Sequence, residues 1–590
     1  MIYTELKERY AETQKKLTQK YNIISVIRLL LIIAALLSIY YNLSSFSYFW
    51  TFLGLTSVLS FIIILIFHDK IGKERDLAAA LFKVNKAEEQ FLKDGILTFE
   101  NGLEFQETKH PYSFDIDIFG QNSLFQHLNR CETVSGKGIL AARLKKKLEN
   151  EEIFESQAAV NELKDKIHFR QKIQAIAGIN KDNTALKSNI LNWIKLNDSP
   201  LSVILRILSF LIPVLLFAVI IGYFVTKNET LLNAINYVFL FNLVILYSQL
   251  KKIRLQILNA DKVREVISQY GLILAEIEKE EFQSHKLIHL KSSILSTDFK
   301  ASTELKNLTN LFGSLEAVQN LLGAIIFNGL FLFHLHTLHS LLLWKKKYAA
   351  KIPEWMDAIA EMEALNSLAN FAYNNPEYAF PKINESYHFE FSNLGHPLIR
   401  TEKRICNDLN LSNQPFIILT GSNMSGKSTF LRSVAINLVL AGAGSVVCAK
   451  ESTVHPIPLF VSMRLQDSLA ENESYFYAEI KRIQDIMSNL DKARIFVLLD
   501  EILRGTNSDD KRNGTVGVIK KMVDHKAIGA IATHDLEVCE TTDIFPDYLV
   551  NYCFEADIID YSIHFDYKLR KGISKNKSAT FLMKKLNIIE

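Results

Sequence analysis

The sequence is most informative at residues 415–438, which read PFIILTGSNMSGKSTFLRSVAINL. The first six residues are an apolar run typical of a buried β-strand, and apolar residues recur at helical spacing after Ser428. Between these patterns stands G-x-x-x-x-G-K-S, from Gly421 to Ser428. The order of strand, loop and helix predicts a P-loop in an α/β domain.

Each part of this loop suits a nucleoside triphosphate. The two glycines allow backbone N–H groups to wrap phosphates, and the helix N-terminus directs its dipole at them. Lys427 is expected to reach the β- and γ-phosphate oxygens, and Ser428 to bind Mg²⁺. We therefore expect ATP and Mg²⁺ as ligands. The predicted nucleotide contacts are Gly421, Ser422, Asn423, Met424, Ser425, Gly426, Lys427, Ser428 and Thr429.

Two further apolar runs end in polar residues. Residues 493–501 read ARIFVLLDE, and residues 527–534 read AIGAIATH. Because the carboxyl ends of parallel strands bind ligands, Asp500 is predicted to hold Mg²⁺, directly or through water. Glu501 is predicted to orient or deprotonate the attacking water, and His534 to sense the γ-phosphate. With Lys427, these two residues form the predicted catalytic set, although a lone histidine is more often structural.

Composition indicates that part of the chain lies in lipid. Of 590 residues, 48% are hydrophobic and 22% charged, and the mean hydropathy is slightly positive at +0.09. A net charge of +3 argues against a surface that binds a polyanion throughout. The five cysteines form no CxxC pair, which excludes a disulfide framework and a cysteine-rich zinc site. Low glycine and proline contents favour a mostly helical chain.

Two pairs of uncharged runs predict membrane helices. Residues 29–67 contain no charge and are divided by a polar stretch at 42–48. Residues 207–226 and 230–250 are also uncharged and flank a short turn. Each run is long enough to cross a bilayer, so we predict two transmembrane hairpins. Basic residues flank their outer ends, which predicts a multi-pass protein of the inner or cytoplasmic membrane with all other parts in the cytoplasm.

A fifth uncharged run, residues 318–344, contains two asparagines in its first half and three histidines in its second. A fifth crossing would place the P-loop domain outside the cell, away from ATP. We therefore predict a buried helix of the cytosolic part. A metal site at His334, His336 and His339 is disfavoured, since no carboxylate or cysteine stands near them.

Together the motifs resemble the ATPase domain of the MutS family of DNA mismatch-repair proteins. The matching stretches are residues 393–399, 420–432, 467–479, 500–508 and 532–534. The resemblance implies an ABC-type ATPase that works as a dimer, in which Ser474 contacts the nucleotide of the other subunit. Residues 119–143 and 355–380 are similar to parts of the helical lever domain of the family. The likeness covers about residues 112–195 and 255–590.

The departures from the family pattern are equally specific. Residues 1–95 stand where mismatch-reading and connector modules are expected, and the second hairpin stands where the levers would extend into a DNA clamp. Asn472 replaces a usual glycine in the signature loop. Arg404 stands where an aromatic residue often stacks on adenine.

The predicted fold is mainly α-helical, with a C-terminal α/β P-loop ATPase domain of ABC type, a helical lever domain and four transmembrane helices in two hairpins. The predicted domains, in chain order, are a hairpin and linker at 1–95, the first lever part at 96–200, the second hairpin at 201–255, the second lever part at 256–345, and the ATPase domain at 346–590.

Two functional hypotheses follow. The first is a membrane-anchored, homodimeric MutS-like ATPase that binds DNA or a DNA-processing complex. The second keeps the ATPase but replaces DNA by ATP-driven membrane remodelling or signalling. An ABC transporter is disfavoured, because the Leu-Ser-Gly-Gly-Gln signature is absent and four spans are few. Membrane lipid is an expected partner, whereas the sequence leaves DNA open.

Overall fold

The computed structural model describes residues 2–196, 200–257, 260–316, 321–464, 475–559 and 562–574. The chain begins with two long antiparallel helices, α1 (Ile2–Ser44) and α2 (Tyr48–Asp94). Their distal halves hold the predicted apolar run, with only residues 45–47 between them. Their charged proximal halves continue the same helices, and Gly95 ends α2 in the left-handed region at φ 71°.

A second group of helices packs against the base of this hairpin. The loop that leads into them ends at Ser123, whose side chain accepts a hydrogen bond from the N–H of Gln126 and so caps the first helix. The helices of this group are α3 (Leu124–Leu128), α4 (Val134–Lys145), α5 (Asn150–Asp165), α6 (Ile167–Ala177) and α7 (Thr184–Lys195).

The second hairpin consists of α8 (Val203–Thr226) and α9 (Glu229–Ile257), which meet at the predicted turn. By length and composition, α1, α2, α8 and α9 could each cross a membrane. In the most apolar windows of α1 and α2, only 6% of the residues are buried within the chain. Such exposed apolar surface calls for a cover of lipid or of another protein.

Three helices follow that pack with α3–α7 to form the helical body: α10 (Ala260–Lys279), α11 (His285–Ile294) and α12 (Ala301–Glu316). They precede α13 (Leu321–Phe331) and α14 (Phe333–Tyr348). The prediction of one buried helix over 318–344 is therefore wrong. The chain bends by 80° between α13 and α14, because Leu332 adopts a left-handed conformation with φ 50°. Large apolar side chains of α13 are exposed, including Phe327 at 55%.

A short 3₁₀ turn at Ala349–Lys351 joins α14 to α15 (Ile352–Asn374), which is buried along most of its length. The α/β domain follows directly. Its smaller sheet has the order β1-β5-β2-β3, built from β1 (Lys382–Ile383), β2 (Glu390–Leu394), β3 (Asn407–Asn410) and β5 (Glu451–Val454).

The larger sheet has the order β10-β9-β4-β8-β7-β6, and its neighbours are parallel except for the β10–β9 pair. Its strands are β4 (Phe416–Gly421), β6 (Leu459–Ser462), β7 (Phe496–Asp500), β8 (Ile528–Ala532), β9 (Leu549–Ile559) and β10 (Ser562–Lys571). The helices of this domain are α16 (Lys427–Gly442), α17 (Tyr475–Leu490), α18 (Ser508–Asp524) and α19 (Thr541–Ile544).

Strand β4 shows how the two faces of this sheet are covered. Ile417 and Leu419 belong to a large apolar core that continues into the helical body. Phe416 and Ile418 belong to a separate core formed with α17 and α18. A strand buried on both faces explains the uninterrupted apolar run in the sequence, and it fixes the position of the loop that follows.

Candidate functional site

The predicted loop leaves the carboxyl end of the central strand β4 and enters α16 at Lys427. β4 lies between β9 and β8, and β7 adjoins β8. The loop, Asp500 at the end of β7 and His534 just after β8 therefore meet at one edge of the sheet. This is the convergence that the three sequence motifs predict.

Two glycines of the loop occupy positions that a side chain would not fit. Gly421 has φ 152°, and a Cβ there would lie 2.8 Å from the carbonyl oxygen of Phe554. Gly426 has φ 107°, and its Cβ would lie 3.0 Å from the ring of Tyr567. Both positions thus need glycine for conformational freedom and for close packing.

Lys427 is buried and extends back along the loop. Its Nζ donates hydrogen bonds to the carbonyl oxygens of Gly421 at 2.8 Å and Ser422 at 3.1 Å. It also lies 3.4 Å from Nε2 of His534. Burial lowers the pKa of Lys427, and the nearby carboxylates Glu501 and Asp500 oppose this effect. The ammonium group is therefore held in the loop by neutral oxygens that phosphate oxygens can replace.

Ser428 and Asp500 form the second contact of the site. The hydroxyl of Ser428 donates to Oδ2 of Asp500 at 2.6 Å, and Asp500 is only 7% exposed. The other carboxylate oxygen, Oδ1, is buried without a hydrogen-bond partner among the described residues. An orphaned buried carboxylate oxygen beside a hydroxyl is a donor set that suits Mg²⁺.

Glu501 and His534 form the third contact. Nε2 of His534 lies 2.5 Å from Oε1 of Glu501, and Arg504 lies 3.6 Å from Oε2. The hydrogen bond from His534 lowers the pKa of Glu501 to about 2, although partial burial acts in the opposite direction. Glu501 itself is in the left-handed region, with φ 51°. Its N–H donates to the carbonyl oxygen of Ala532 at 2.9 Å, which holds this backbone in place.

Glu479 supports the turn that carries Glu501, a role that the sequence patterns did not indicate. It lies on α17 and accepts hydrogen bonds from the N–H groups of Leu503 at 2.8 Å and Arg504 at 3.2 Å. Burial raises its pKa, and these two hydrogen bonds oppose that effect. The turn after β7 is thus tied to the helix that follows residues 465–474.

A cavity of about 380 Å³ opens beside the loop, a size typical of small-molecule sites. It is lined by residues 422–430 and by Glu501, which the motifs predict. It is also lined by His396, Ile405, Asn407 and Tyr567, of which only His396 lies in a motif that the sequence singled out. The others come from β3, β10 and the loop before β3, which lie far apart in the sequence, so no local pattern could have identified them.

Arg404 does not face this cavity. Its guanidinium donates to the carbonyl oxygen of Ile399 at 2.8 and 3.0 Å and lies over the ring of Tyr378. The neighbouring Ile405 is 42% exposed and lines the cavity instead. An apolar surface for a purine base is therefore available despite the arginine.

The helical body contacts the same domain through two aspartates. Asp115 accepts hydrogen bonds from the N–H groups of Met463 at 2.8 Å and Arg464 at 3.0 Å. Asp117 forms two 2.6 Å hydrogen bonds with Arg464 and one of 3.1 Å with Arg432 of α16. These contacts fix the residues that lead into 465–474. Ser474 and Asn472 lie outside the described residues, so the predicted contact across a dimer stays a prediction.

The residues present fit a nucleotide with Mg²⁺. The hydroxyls of Ser422 and Ser425 in the loop are buried and have no hydrogen-bond partner among the described residues, and the same holds for Oδ1 of Asp500. Phosphate oxygens and a cation would satisfy these groups. Ser428 and Asp500 would hold the metal, and the loop would hold the phosphates.

The fold and this loop define a P-loop α/β domain. A comparison with protein-family models identifies residues 417–587 as MutS domain V, which is an ATPase domain. This domain is therefore of the MutS family.

The chain also matches curated MutS proteins over part of its length. The chain is 33% identical over 232 residues to the DNA mismatch repair protein MutS of Ehrlichia ruminantium (strain Gardel), covering 39% of this chain and 28% of the relative. It is 30% identical over 233 residues to the human MutS protein homolog 4, covering 38% and 24%. It is 29% identical over 305 residues to MutS of Flavobacterium psychrophilum, covering 50% and 34%. The chain thus spans about a third or less of the length of these relatives.

Proposed function

We propose that this protein is a membrane-anchored MutS-type ATPase that binds and hydrolyses Mg²⁺-ATP in a homodimer and acts on DNA or on a DNA-bound complex. The observation that carries the ATPase part is the meeting of Lys427, Ser428, Asp500, Glu501 and His534 at one edge of the sheet. These side chains come from three separate strand ends, and together they supply the groups that phosphoryl transfer requires.

Each residue has a distinct role in this proposal. The loop N–H groups and Lys427 bind the phosphates, and Ser428 with Asp500 holds the cation that neutralises their charge. Glu501 is ionised and accepts a proton from the attacking water or orients it. His534 bonds to Glu501 before nucleotide enters, and we propose that it turns to the γ-phosphate once the phosphates occupy the loop.

The proposed homodimer completes each site with Ser474 of the second subunit. In this arrangement ATP is bound between two copies of the domain, so its hydrolysis changes the contacts at the interface of the two copies. Four long apolar helices support the proposed anchor. Their orientation follows from the basic residues at the outer ends of the hairpins.

The proposed action on DNA is supported by the relatives, two of which are named DNA mismatch repair proteins. A second candidate is favoured by one feature of this chain. Helices α14 and α15 run nearly continuously from the second hairpin to the strand that opens the α/β domain. A domain movement driven by ATP would therefore be passed to the membrane helices, with no need for DNA.

Salt dependence of DNA binding separates the two candidates. We would place the full-length Glu501→Gln variant in lipid nanodiscs with Mg²⁺-ATP and titrate labelled duplex DNA between about 50 and 200 mM salt. A DNA-binding protein loses affinity steeply over this range, because it releases the counterions of each phosphate that it contacts. Absence of binding at the lowest salt, together with intact ATP binding, would reject the DNA part and retain the ATPase.

A further inference from the structure

Helix α13 lies beside the second hairpin, outside the helical body. The rings of Phe331 and Phe217 are 5.4 Å apart, and Phe217 is near the middle of α8. Nδ2 of Asn242, an asparagine within α9, donates to the carbonyl oxygen of Gly329 at 2.8 Å. At 1.5 Å per residue, Phe217 lies about 21 Å along α8 from its cytosolic end. The end of α13 is thus at the depth of the membrane interior.

Helix α14 leads back from that depth to the cytosolic side. Near its start, Nε2 of His336 lies 3.0 Å from the carbonyl oxygen of Ser209, in the second turn of α8. Near its end, the ring of Trp344 lies 6.5 Å from that of Trp193 in α7, and Lys345 donates to the carbonyl oxygen of Leu196. Tryptophan and lysine at this end suit the membrane–water interface.

Several backbone groups at the bend between the two helices have hydrogen-bond partners within the bend. The side chain of Asn328 donates to the carbonyl oxygen of Ala324 at 2.6 Å and accepts from the N–H of His334 at 2.9 Å. The N–H groups of Leu335 and His336 both donate to the carbonyl oxygen of Leu332. A helix break inside a bilayer requires such internal partners, because lipid offers none.

The helices before and after this pair lie on one side. The ring of Phe312 in α12 lies 5.3 Å from that of Trp193, which also contacts Trp344 near the end of α14. The ring of Phe299, just before α12, lies 6.1 Å from that of Trp355 in α15. The segment therefore cannot end on the opposite face of the membrane from where it begins.

From these observations we propose that residues 321–343 form a re-entrant membrane element, which enters the bilayer from the cytosolic side, bends at Leu332 and returns along α14. The exposed side chains of α13 contact lipid acyl chains; these are Ile325, Ile326, Phe327 and Phe331. This inference rests on the proposed membrane anchor.

Lipid-depth quenching tests the element. A fluorophore is attached to a cysteine in three full-length variants with Cys406→Ser, because the other four native cysteines are buried. The variants are Phe327→Cys in α13, Leu215→Cys in α8 and Leu272→Cys in α10, where the native side chains are 55%, 55% and 50% exposed. Vesicles contain lipids with a quencher on the acyl chain.

We expect strong quenching at positions 327 and 215 and weak quenching at 272. If position 215 is not quenched, the membrane anchor itself is wrong. If 215 is quenched while 327 matches 272, the anchor stands and the re-entrant element is rejected.

A second measurement separates re-entry from a full crossing. A membrane-impermeant maleimide is added to sealed vesicles that carry Ile288→Cys before the element or Ile544→Cys after it, both exposed in the native protein. Labelling of both from the same face supports re-entry. Labelling from opposite faces would overturn it.

Discussion

At the scale of single residues, the site depends on side chains that are held by neighbours before any nucleotide enters. Lys427 is bonded to two carbonyl oxygens of its own loop, and Ser428 to Asp500. Glu501 is paired with His534. The charges are therefore fixed in position, so little reorganisation is needed when phosphates bind.

Glu501→Gln should reduce ATP turnover by at least about 100-fold while nucleotide binding persists, since only proton acceptance is removed. Steady-state hydrolysis and binding of a fluorescent ATP analogue measure the two effects. Glu537→Gln is the matched control, because Glu537 is an exposed acid that pairs with Arg512. Unchanged turnover in Glu501→Gln would contradict the proposed role.

Lys427→Ala should weaken nucleotide binding by about 10- to 100-fold, which corresponds to ~1.4–2.7 kcal/mol. The physical reason is the loss of a buried cation that bonds to phosphate oxygens. Equilibrium titration with the same analogue measures the affinity. Lys520→Ala, at an exposed position of α18, should bind as the wild type does; equal losses in both variants would point to misfolding instead.

Among the helices, α15 is held to α4 and α11 by two of its carboxylates, Glu363 and Glu361. Glu363 is fully buried beside the start of α4, where it accepts hydrogen bonds from the N–H groups of Glu132 and Thr133 and from the Thr133 hydroxyl. Burial raises the pKa of Glu363 to about 7. Two residues earlier, Glu361 pairs with Arg143 and Lys286. Burial would raise the pKa of Glu361, but these cations lower it overall.

The raised pKa predicts a pH-dependent stability. Between pH 4.5 and about 7 the unfolded state loses the proton of Glu363 while the folded state keeps it, so rising pH favours unfolding. Glu363→Gln imitates the protonated carboxyl and removes this effect, which amounts to as much as about 3 kcal/mol. In thermal melts, the Tm of the variant relative to that of the wild type should rise from pH 5 to pH 8.

Glu361→Gln is the control on the same helix, and it should behave in the opposite way. Its carboxylate contributes stability above the ordinary pKa of a glutamate, and that contribution is lost as pH falls. The variant should therefore be destabilised most at neutral pH. The same pH trend in both variants would contradict the assignment at Glu363.

In the whole molecule, as a proposed dimer, two nucleotide sites are connected to two sets of membrane helices. α15 continues into α14 through a single 3₁₀ turn, and α14 reaches the second hairpin. The first hairpin contacts α15 through Tyr3, whose hydroxyl donates a hydrogen bond to Oδ1 of Asn374 at 2.8 Å and lies 3.3 Å from Oδ1 of Asn370. Both hairpins are thus connected to α15, the first directly and the second through α14.

A shared site predicts complementation between two inactive variants. Ser474→Ala and Lys427→Ala should each lack activity as homodimers. Co-expressed with different tags, they should recover about a quarter of the wild-type ATPase rate, because half of the dimers carry one intact site of two. No recovery in dimers shown to be mixed would reject the contribution of Ser474 across the interface.

Local sequence patterns were enough to predict the P-loop, the two acids where β7 ends, the histidine after β8 and the four long apolar helices. These features depend on local spacing and on runs of one polarity, which a chain carries wherever it folds. Tyr567 of β10, Ile405 of the loop before β3 and Glu479 of α17 became part of the site only in the folded chain, since elements far apart in the sequence had to meet. Residues 321–343 are a second example. A run of apolar residues predicts that a segment is shielded from water, but it does not predict the direction in which the segment runs. The bend at Leu332 and the contacts of Asn328 and Asn242 set the path of this segment beside the second hairpin.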